Sequence, residues 1–263
     1  MSAISAVGLR KTYQSSDGEV EAVRGVDLDV DTGEVFGFLG PNGAGKSTTV
    51  RMLTTLMTLT AGVAYVGGVD VTADPDAARR KIGVALQEAG LDVRQTGREI
   101  LTLQGRLFGM NASDASDRAQ ELLQLVDLVE SADRRVKGYS GGMKRRLDLA
   151  SALVHQPEIL FLDEPTTGLD PASRLTVWAE VRRINQLGTT VFLTTQYLEE
   201  ADQLCDRLAI IDNGVIVSEG TPSSLKQELF DRKGLDSRPT LDDVFLDATG
   251  RNRERVAGDV KEI

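Results

Sequence analysis

The chain has 263 residues, 41% of them apolar and 27% charged, and a formal net charge of −10. Such a length buries a sizeable core and fits one elaborated domain with at most a short appendage, in a chain of ordinary soluble composition. The acidic balance disfavours non-specific attraction to nucleic acid, no apolar run approaches the roughly 18 residues of a membrane span, and the single Cys205 excludes an intramolecular disulfide.

The N-terminus MSAISAVGLRK lacks the charged start and long apolar stretch of a secretory signal, which predicts a cytosolic chain. Residues 1–38 carry short β-like runs around the turn signals Ser15-Ser16-Asp17-Gly18 and Asp31-Thr32-Gly33. They predict an antiparallel layer leading into a strand at Val35-Phe36-Gly37-Phe38-Leu39. Residues 47–57 have the apolar spacing of a helix. Gly67-Gly68 marks a hairpin, and Ile82-Gly83-Val84-Ala85-Leu86 alternates as a strand. Residues 98–155 read as mostly helical, with ELLQLVDLV (121–129) the clearest amphipathic piece. From 158 onward strands and helices alternate: EILFLDE, a helix after Pro171, TTVFLTT, a helix through Glu199, and RLAIID. Cys205 reads as a small half-buried hydrophobe in a helix. Asp212-Asn213-Gly214 signals a two-residue hairpin. Thr240 and Asp243 form a capping-box pattern before a short helix with an apolar face at Leu241, Val244 and Phe245. The charged tail after Gly250 is expected to be disordered.

Two of these segments carry chemistry. Gly40-Pro41-Asn42-Gly43-Ala44-Gly45-Lys46-Ser47, followed by Thr48, matches the phosphate-binding pattern G-x-x-x-x-G-K-[ST] between a strand and a helix. Its glycines let backbone N–H groups turn towards phosphates, Lys46 reaches the β- and γ-phosphates, and Ser47 offers a hydroxyl to Mg²⁺. The apolar strand Ile159-Leu160-Phe161-Leu162 ends in Asp163-Glu164, which suits Asp163 to the metal side and Glu164 to general-base work on water.

Between them, Tyr139-Ser140-Gly141-Gly142-Met143-Lys144-Arg145-Arg146-Leu147 resembles the LSGGQ signature of ABC ATPases. Over roughly residues 3–230 the chain resembles an ABC transporter nucleotide-binding subunit, with 231–263 as a C-terminal extension. The resemblance implies an α/β fold: a P-loop NTPase (RecA-like) core, an N-terminal antiparallel β subdomain and an inserted α-helical subdomain at about 90–155. It further implies ATP and Mg²⁺ as cofactors, Tyr13 stacked on adenine, and Gln87 as a hinge between Mg²⁺ and a transmembrane partner. Asp170 of Gly168-Leu169-Asp170 falls in the D-loop, at a dimer interface; it also suits an N-cap before Pro171. In the family, ATP lies between the P-loop of one cassette and the signature of another. Ser140 and Gly142 are therefore expected to complete the site of a second copy in a head-to-tail dimer.

Four features depart from that pattern or stand outside it. Met143 replaces the usual glutamine, which removes a polar contact there. Lys144-Arg145-Arg146 reads as a solvated helix face rather than a nucleic-acid patch. Gln196 stands where relatives usually present histidine, and its amide can donate to phosphate while accepting from water, without becoming cationic. A plain helix cap is the competing reading of Gln196. His155, the single histidine, precedes the acidic strand and so sits roughly 20 Å from its phosphate end, as a loop residue.

The segments GYSGGMKRRLDLASALVHQPEILFLDEPTTGLDP, TTQYLEEADQLCDRLAIIDNG and PTLDDVFLDATG resemble more narrowly the daunorubicin/doxorubicin-resistance type of exporter ATPase. This implies an ATPase held at the inner face of the membrane by a separate permease that exports a drug-like or hydrophobic natural product. Export of lipid or polysaccharide is the near alternative. ABC ATPases acting on ribosomes or DNA usually have a second cassette or long coiled coils, and neither is visible here. A binding-only cassette is the third reading.

Overall fold

The computed structural model describes residues 2–15, 18–87, 90–234 and 237–250. The tip of the expected Ser15–Gly18 turn and the charged tail lie outside them. Strand β1 (Ser2–Ser15) pairs antiparallel with β2 (Gly18–Asp31), whose inward positions Val23, Val26, Leu28 and Val30 alternate with exposed ones. Such one-sided burial is what an antiparallel sheet with one wet face requires. β4 (Ala61–Val66) and β5 (Val69–Asp70) complete a four-stranded sheet ordered β2-β1-β4-β5, and the β4–β5 turn uses Gly67 and Gly68 as expected.

The second sheet has six strands, ordered β10-β9-β3-β8-β7-β6. It comprises β3 (Val35–Leu39), β6 (Ile82–Ala85), β7 (Ile159–Asp163), β8 (Thr190–Thr195), β9 (Arg207–Asp212) and β10 (Val215–Gly220). All neighbours are parallel except the β9–β10 pair, which turns at Asn213-Gly214 with both residues at positive φ. Every residue of β3, β7 and β8 is buried, so apolar residues follow one another without polar alternation at residues 159–162 and 191–193, but the side chains still alternate between two cores. Phe36, Phe38, Phe161 and Phe192 face the antiparallel sheet, with Phe192 within 5.4–5.7 Å of the other three ring centroids. Leu39, Leu160, Leu162, Val191 and Leu193 face the helices.

The helices are α1 (Lys46–Leu53), α2 (Pro75–Lys81), α3 (Gly97–Leu107), α4 (Ala112–Leu125) and α5 (Gly141–Ala152). They continue with α6 (Pro171–Gln186), α7 (Leu198–Leu204), α8 (Pro222–Lys233) and α9 (Leu241–Ala248). Helices α3 to α5 fill the stretch between β6 and β7. α9 carries the expected capping box of Thr240 and Asp243 and buries Leu241 and Val244.

Some elements differ from the sequence reading. α1 stops at Leu53 rather than running to 57, because Thr55 takes a left-handed φ of 62°. The amphipathic segment 121–129 crosses a helix end: α4 closes at Leu125, Asp127 is left-handed, and Leu128 joins the core from the turn. α2 and α8 were not foreseen, although each has a capping residue, Asp74 or Thr221, directly before a proline at its first position. Cys205 is not inside a helix. It terminates α7 in an extended conformation and is buried against Gly37, where an added Cβ would lie 2.7 Å from its sulfur. Among the described residues no helix is long and apolar enough to cross a membrane.

Candidate functional site

Because β3, β6, β7 and β8 run parallel, their C-terminal ends gather on one edge, where ligands bind in open α/β sheets. Register does the rest. Leu39 pairs with Thr195, Asp163 with Thr194, and Ala85 with Leu162, so the glycine loop, the two carboxylates, Gln87 and Gln196 all leave the sheet at one level.

The loop from Gly40 to Gly45 enters α1 through Gly43 and Gly45, at φ 79° and 108°. A side chain at Gly45 would also lie 2.6 Å from the Ala22 carbonyl oxygen. Lys46 is 5% exposed, and its ammonium donates to the carbonyls of Gly40 at 2.8 Å and Pro41 at 3.2 Å. Burial pulls its pKa down, against the raising pull of Glu164 and Asp163. Ser47 Oγ donates to Asp163 Oδ1 at 3.2 Å, so the two oxygen groups proposed for a metal lie side by side.

Glu164 sits 3.7 Å from the Lys46 ammonium. Its carboxylate also accepts from Thr167 Oγ1 at 3.1 Å and from Gln87 Nε2 at 3.5 Å. The residue has a φ of 49°, and its N–H is shared between the carbonyl and hydroxyl oxygens of Thr194, at 3.1 and 3.0 Å. A cleft of about 510 Å³ opens over this floor. Its lining includes Tyr13, Asn42, Lys46, Gln87, Glu164 and Gln196, and it also takes in Pro41, Gly43, Gly45, Ser47 and Thr48. The Tyr13 hydroxyl donates to the Met57 sulfur at 3.1 Å and lies 3.4 Å from Thr48 Oγ1, which holds the ring at the cleft edge. Ala44 is buried beneath the loop.

Gln196 is exposed in the cleft and does not cap α7, whose N-cap is Tyr197 with no side-chain bond. The cap reading of Gln196 therefore fails. Ser140, Gly142 and Asp170 do not line the cleft. Ser140 caps α5 through Met143 N, and Asp170 caps α6 through Ser173 N at 3.0 Å. Gly142 packs on Ser173, whose Oγ would lie 2.7 Å from an added Cβ. His155 is bonded to the Ile82 carbonyl at the opposite, N-terminal end of β6. It is more than a loop residue, because its ring stacks on Phe108 at 4.0 Å.

The structure corrects the reading of Lys144-Arg145-Arg146 as a solvated face. Arg145 is 8% exposed, and Arg146 donates to the carbonyls of Val126 and Asp127. Thr194 was also missed: its hydroxyl donates to Asp163 Oδ1 at 2.5 Å. So was Glu200, fully buried, which accepts from Thr166 Oγ1 at 2.8 Å and Trp178 Nε1 at 2.9 Å. Burial pushes the Glu200 pKa up, opposed by hydrogen bonds from Thr195, Thr166 and Trp178.

The ABC transporter family profile matches residues 23–167. The chain belongs to the ABC transporter family. The cassette is 53% identical over 227 residues to the daunorubicin/doxorubicin resistance ATP-binding protein DrrA of Streptomyces peucetius, covering 86% of this chain and 68% of that protein. It is 44% identical to the Nod factor export ATP-binding protein I of a Rhizobium species, over 86% of this chain and 73% of that one. A solved dimeric ATP-binding cassette in a post-hydrolysis state, bound to ADP and Pi, superposes with a TM-score of 0.76 at 27% identity, covering 83% of this chain and 98% of that chain. The chain is thus an ATP-binding ATPase of the ABC transporter family, with the P-loop NTPase core, antiparallel sheet and helices expected of that family.

Proposed function

We propose that this ATPase binds Mg²⁺-ATP in the cleft and works as one half of a head-to-tail homodimer. It would drive a separately encoded permease that exports a drug-like or hydrophobic natural product. The observation that carries the reading is the Glu164 carboxylate, bonded to Thr167 and Gln87 beside the Lys46 ammonium at the floor of the cleft. Backbone N–H groups of the Gly43–Lys46 turn and the N-terminus of α1 hold the β- and γ-phosphates, and Lys46 reaches the same oxygens. Glu164 takes a proton as the water oxygen bonds to the γ-phosphorus and the bond to the β,γ-bridging oxygen breaks. Gln196 orients that water and the γ-phosphate through its amide. Tyr13 supplies a face for adenine.

Ser47 and Asp163 would be the hard oxygen donors for Mg²⁺, with Gln87, which lines the same cleft as Ser47, as a further candidate. Among the described residues no group of three or more acidic, His or Cys side chains is gathered. When bound there, the ion would supply positive charge that offsets the charge of the phosphates.

Ser140, Gly142 and Asp170 lie outside the cleft, with Ser140 and Asp170 exposed, which favours their use on the nucleotide of a second copy. Residues 3–230 form the nucleotide-binding unit with its helical insertion at about 90–155, and 231–263 an extension. The permease holds the subunit at the inner face of the membrane. The names of the relatives support export, and drug resistance is the first named role among them. Glu164→Gln should lower turnover about a hundredfold or more while retaining ATP affinity and producing an ATP-dependent dimer in gel filtration. Retained turnover would exclude Glu164 as the base. Co-purification with a polytopic permease and cargo-stimulated ATPase activity test the transport role, and co-sedimentation with ribosomes instead would oppose it.

A further inference from the structure

Arg145 lies in α5, five residues after Ser140, and points inward rather than towards solvent. Its guanidinium donates to three backbone carbonyls from two separate segments: Nε to Pro165 at 2.8 Å, Nη1 to Leu86 at 2.5 Å and Nη2 to Asp163 at 3.2 Å. Two of these carbonyls flank Glu164 in the chain, and the third belongs to the residue before Gln87. Glu164 has the left-handed φ of 49°, a conformation a non-glycine residue keeps only when its neighbours hold it. Asp148, one turn further along α5, accepts from Nη1 at 3.1 Å and balances the buried charge. A planar fork with several fixed donors can bridge such carbonyls at once, whereas an ammonium on a flexible stem cannot reproduce the geometry.

We propose that Arg145 is a positioning residue for hydrolysis: it clamps the turn on both sides of Glu164 and the end of the strand before Gln87, and ties both to the signature helix. The clamp holds the Glu164 carboxylate where it meets water and brings Gln87 within reach of it. This rests on Glu164 being the general base. Nucleotide is held by the glycine loop, to which Arg145 makes no hydrogen bond, so the clamp serves turnover and not binding.

The test compares the purified full chain with Arg145→Lys and Arg145→Gln, measuring kcat, KM for ATP, equilibrium affinity for a fluorescent ATP analogue, and Tm. The expected result is a fall in kcat of about tenfold or more, with KM and analogue affinity within about twofold of wild type. Arg145→Lys, which retains the charge, should not restore turnover. Unchanged kcat with a lowered Tm would make Arg145 a purely structural residue, as would loss of folding in both variants. A KM that rises with kcat unchanged would place its effect on nucleotide binding. Each of these overturns the proposal. Glu164→Gln measured alongside separates the two readings: if it retains turnover, the base assignment fails, whereas if it abolishes turnover and the Arg145 variants do not change kcat, only the clamp fails.

Discussion

Thr194→Val tests how the acidic strand end is built. The Thr194 hydroxyl is fully buried, donates to Asp163 Oδ1 and accepts from Glu164 N at 3.0 Å. Valine replaces the hydroxyl by a methyl of similar size, so no cavity is expected. The Glu164 amide keeps the Thr194 carbonyl at 3.1 Å, and Asp163 Oδ1 keeps Ser47 Oγ at 3.2 Å, so neither group is orphaned. What is lost is the hydrogen bond to a buried carboxylate, about 1.5–3 kcal/mol, together with the hydroxyl half of the bond shared by the Glu164 amide, whose carbonyl half remains. At roughly 2–4 °C per kcal/mol for a chain of this size, Tm should fall by about 3–12 °C. Circular-dichroism melts without nucleotide are the assay. Thr194→Ser, which keeps the hydroxyl and loses one methyl worth about 0.8 kcal/mol, is the control. A Thr194→Val melt within about 1 °C of wild type, or a Thr194→Ser melt as low as it, refutes the argument. The Mg²⁺ concentration for half-maximal ATPase should also rise in Thr194→Val, because Asp163 loses a fixed partner.

Gln196→Ala should lower kcat about three- to tenfold and leave KM within about twofold, since the amide is exposed in the cleft and fastens no element; steady-state ATPase kinetics with unchanged turnover would remove Gln196 from the reaction. Trp178→Phe deletes one of the donors to buried Glu200 and should lower stability by about 1.5–3 kcal/mol in urea titrations followed by circular dichroism. Burial holds the His155 pKa below its usual 6.5, against the raising hydrogen bond to Ile82. The unfolded chain therefore binds the proton more readily, and stability is lost as pH falls from about 6.5 through the folded value. His155→Gln should flatten that slope in denaturation midpoints measured between pH 7.5 and 5.5, and an identical slope would assign it to other groups.

Much of the site was legible because its groups are close in sequence. Gly40 to Ser47 form a local phosphate loop whose conformation follows from glycine spacing, and Asp163-Glu164 follow an apolar strand directly. The Asn213-Gly214 and Gly67-Gly68 turns and the Thr240 cap were likewise readable, since each is settled within four or five residues. Helix ends were not: Thr55 and Asp127 take left-handed conformations that their residue types do not announce. Nor was Cys205, whose burial against Gly37 depends on where α7 meets β3.

The residues that local pattern misses are those whose role lies in register and in which side of a helix is covered. Thr194 looks like one more β-branched strand residue until parallel pairing of β7 and β8 sets it beside Asp163. Arg145 looks like one of three solvated charges until α5 packs on β6 and turns it inward onto the carbonyls of Leu86, just past β6, and Asp163, the last residue of β7. Composition and local spacing by themselves determined a phosphate-binding α/β chain, its acidic strand and the presence of glutamine at 196. Tertiary structure decided that Gln196 faces the cleft instead of capping α7, that Glu164 is held by two separate segments, and that Ser140 and Asp170 lie away from their own cleft. The physical reason is that these facts depend on distances between chain segments far apart in sequence, which strand register and helix packing alone set.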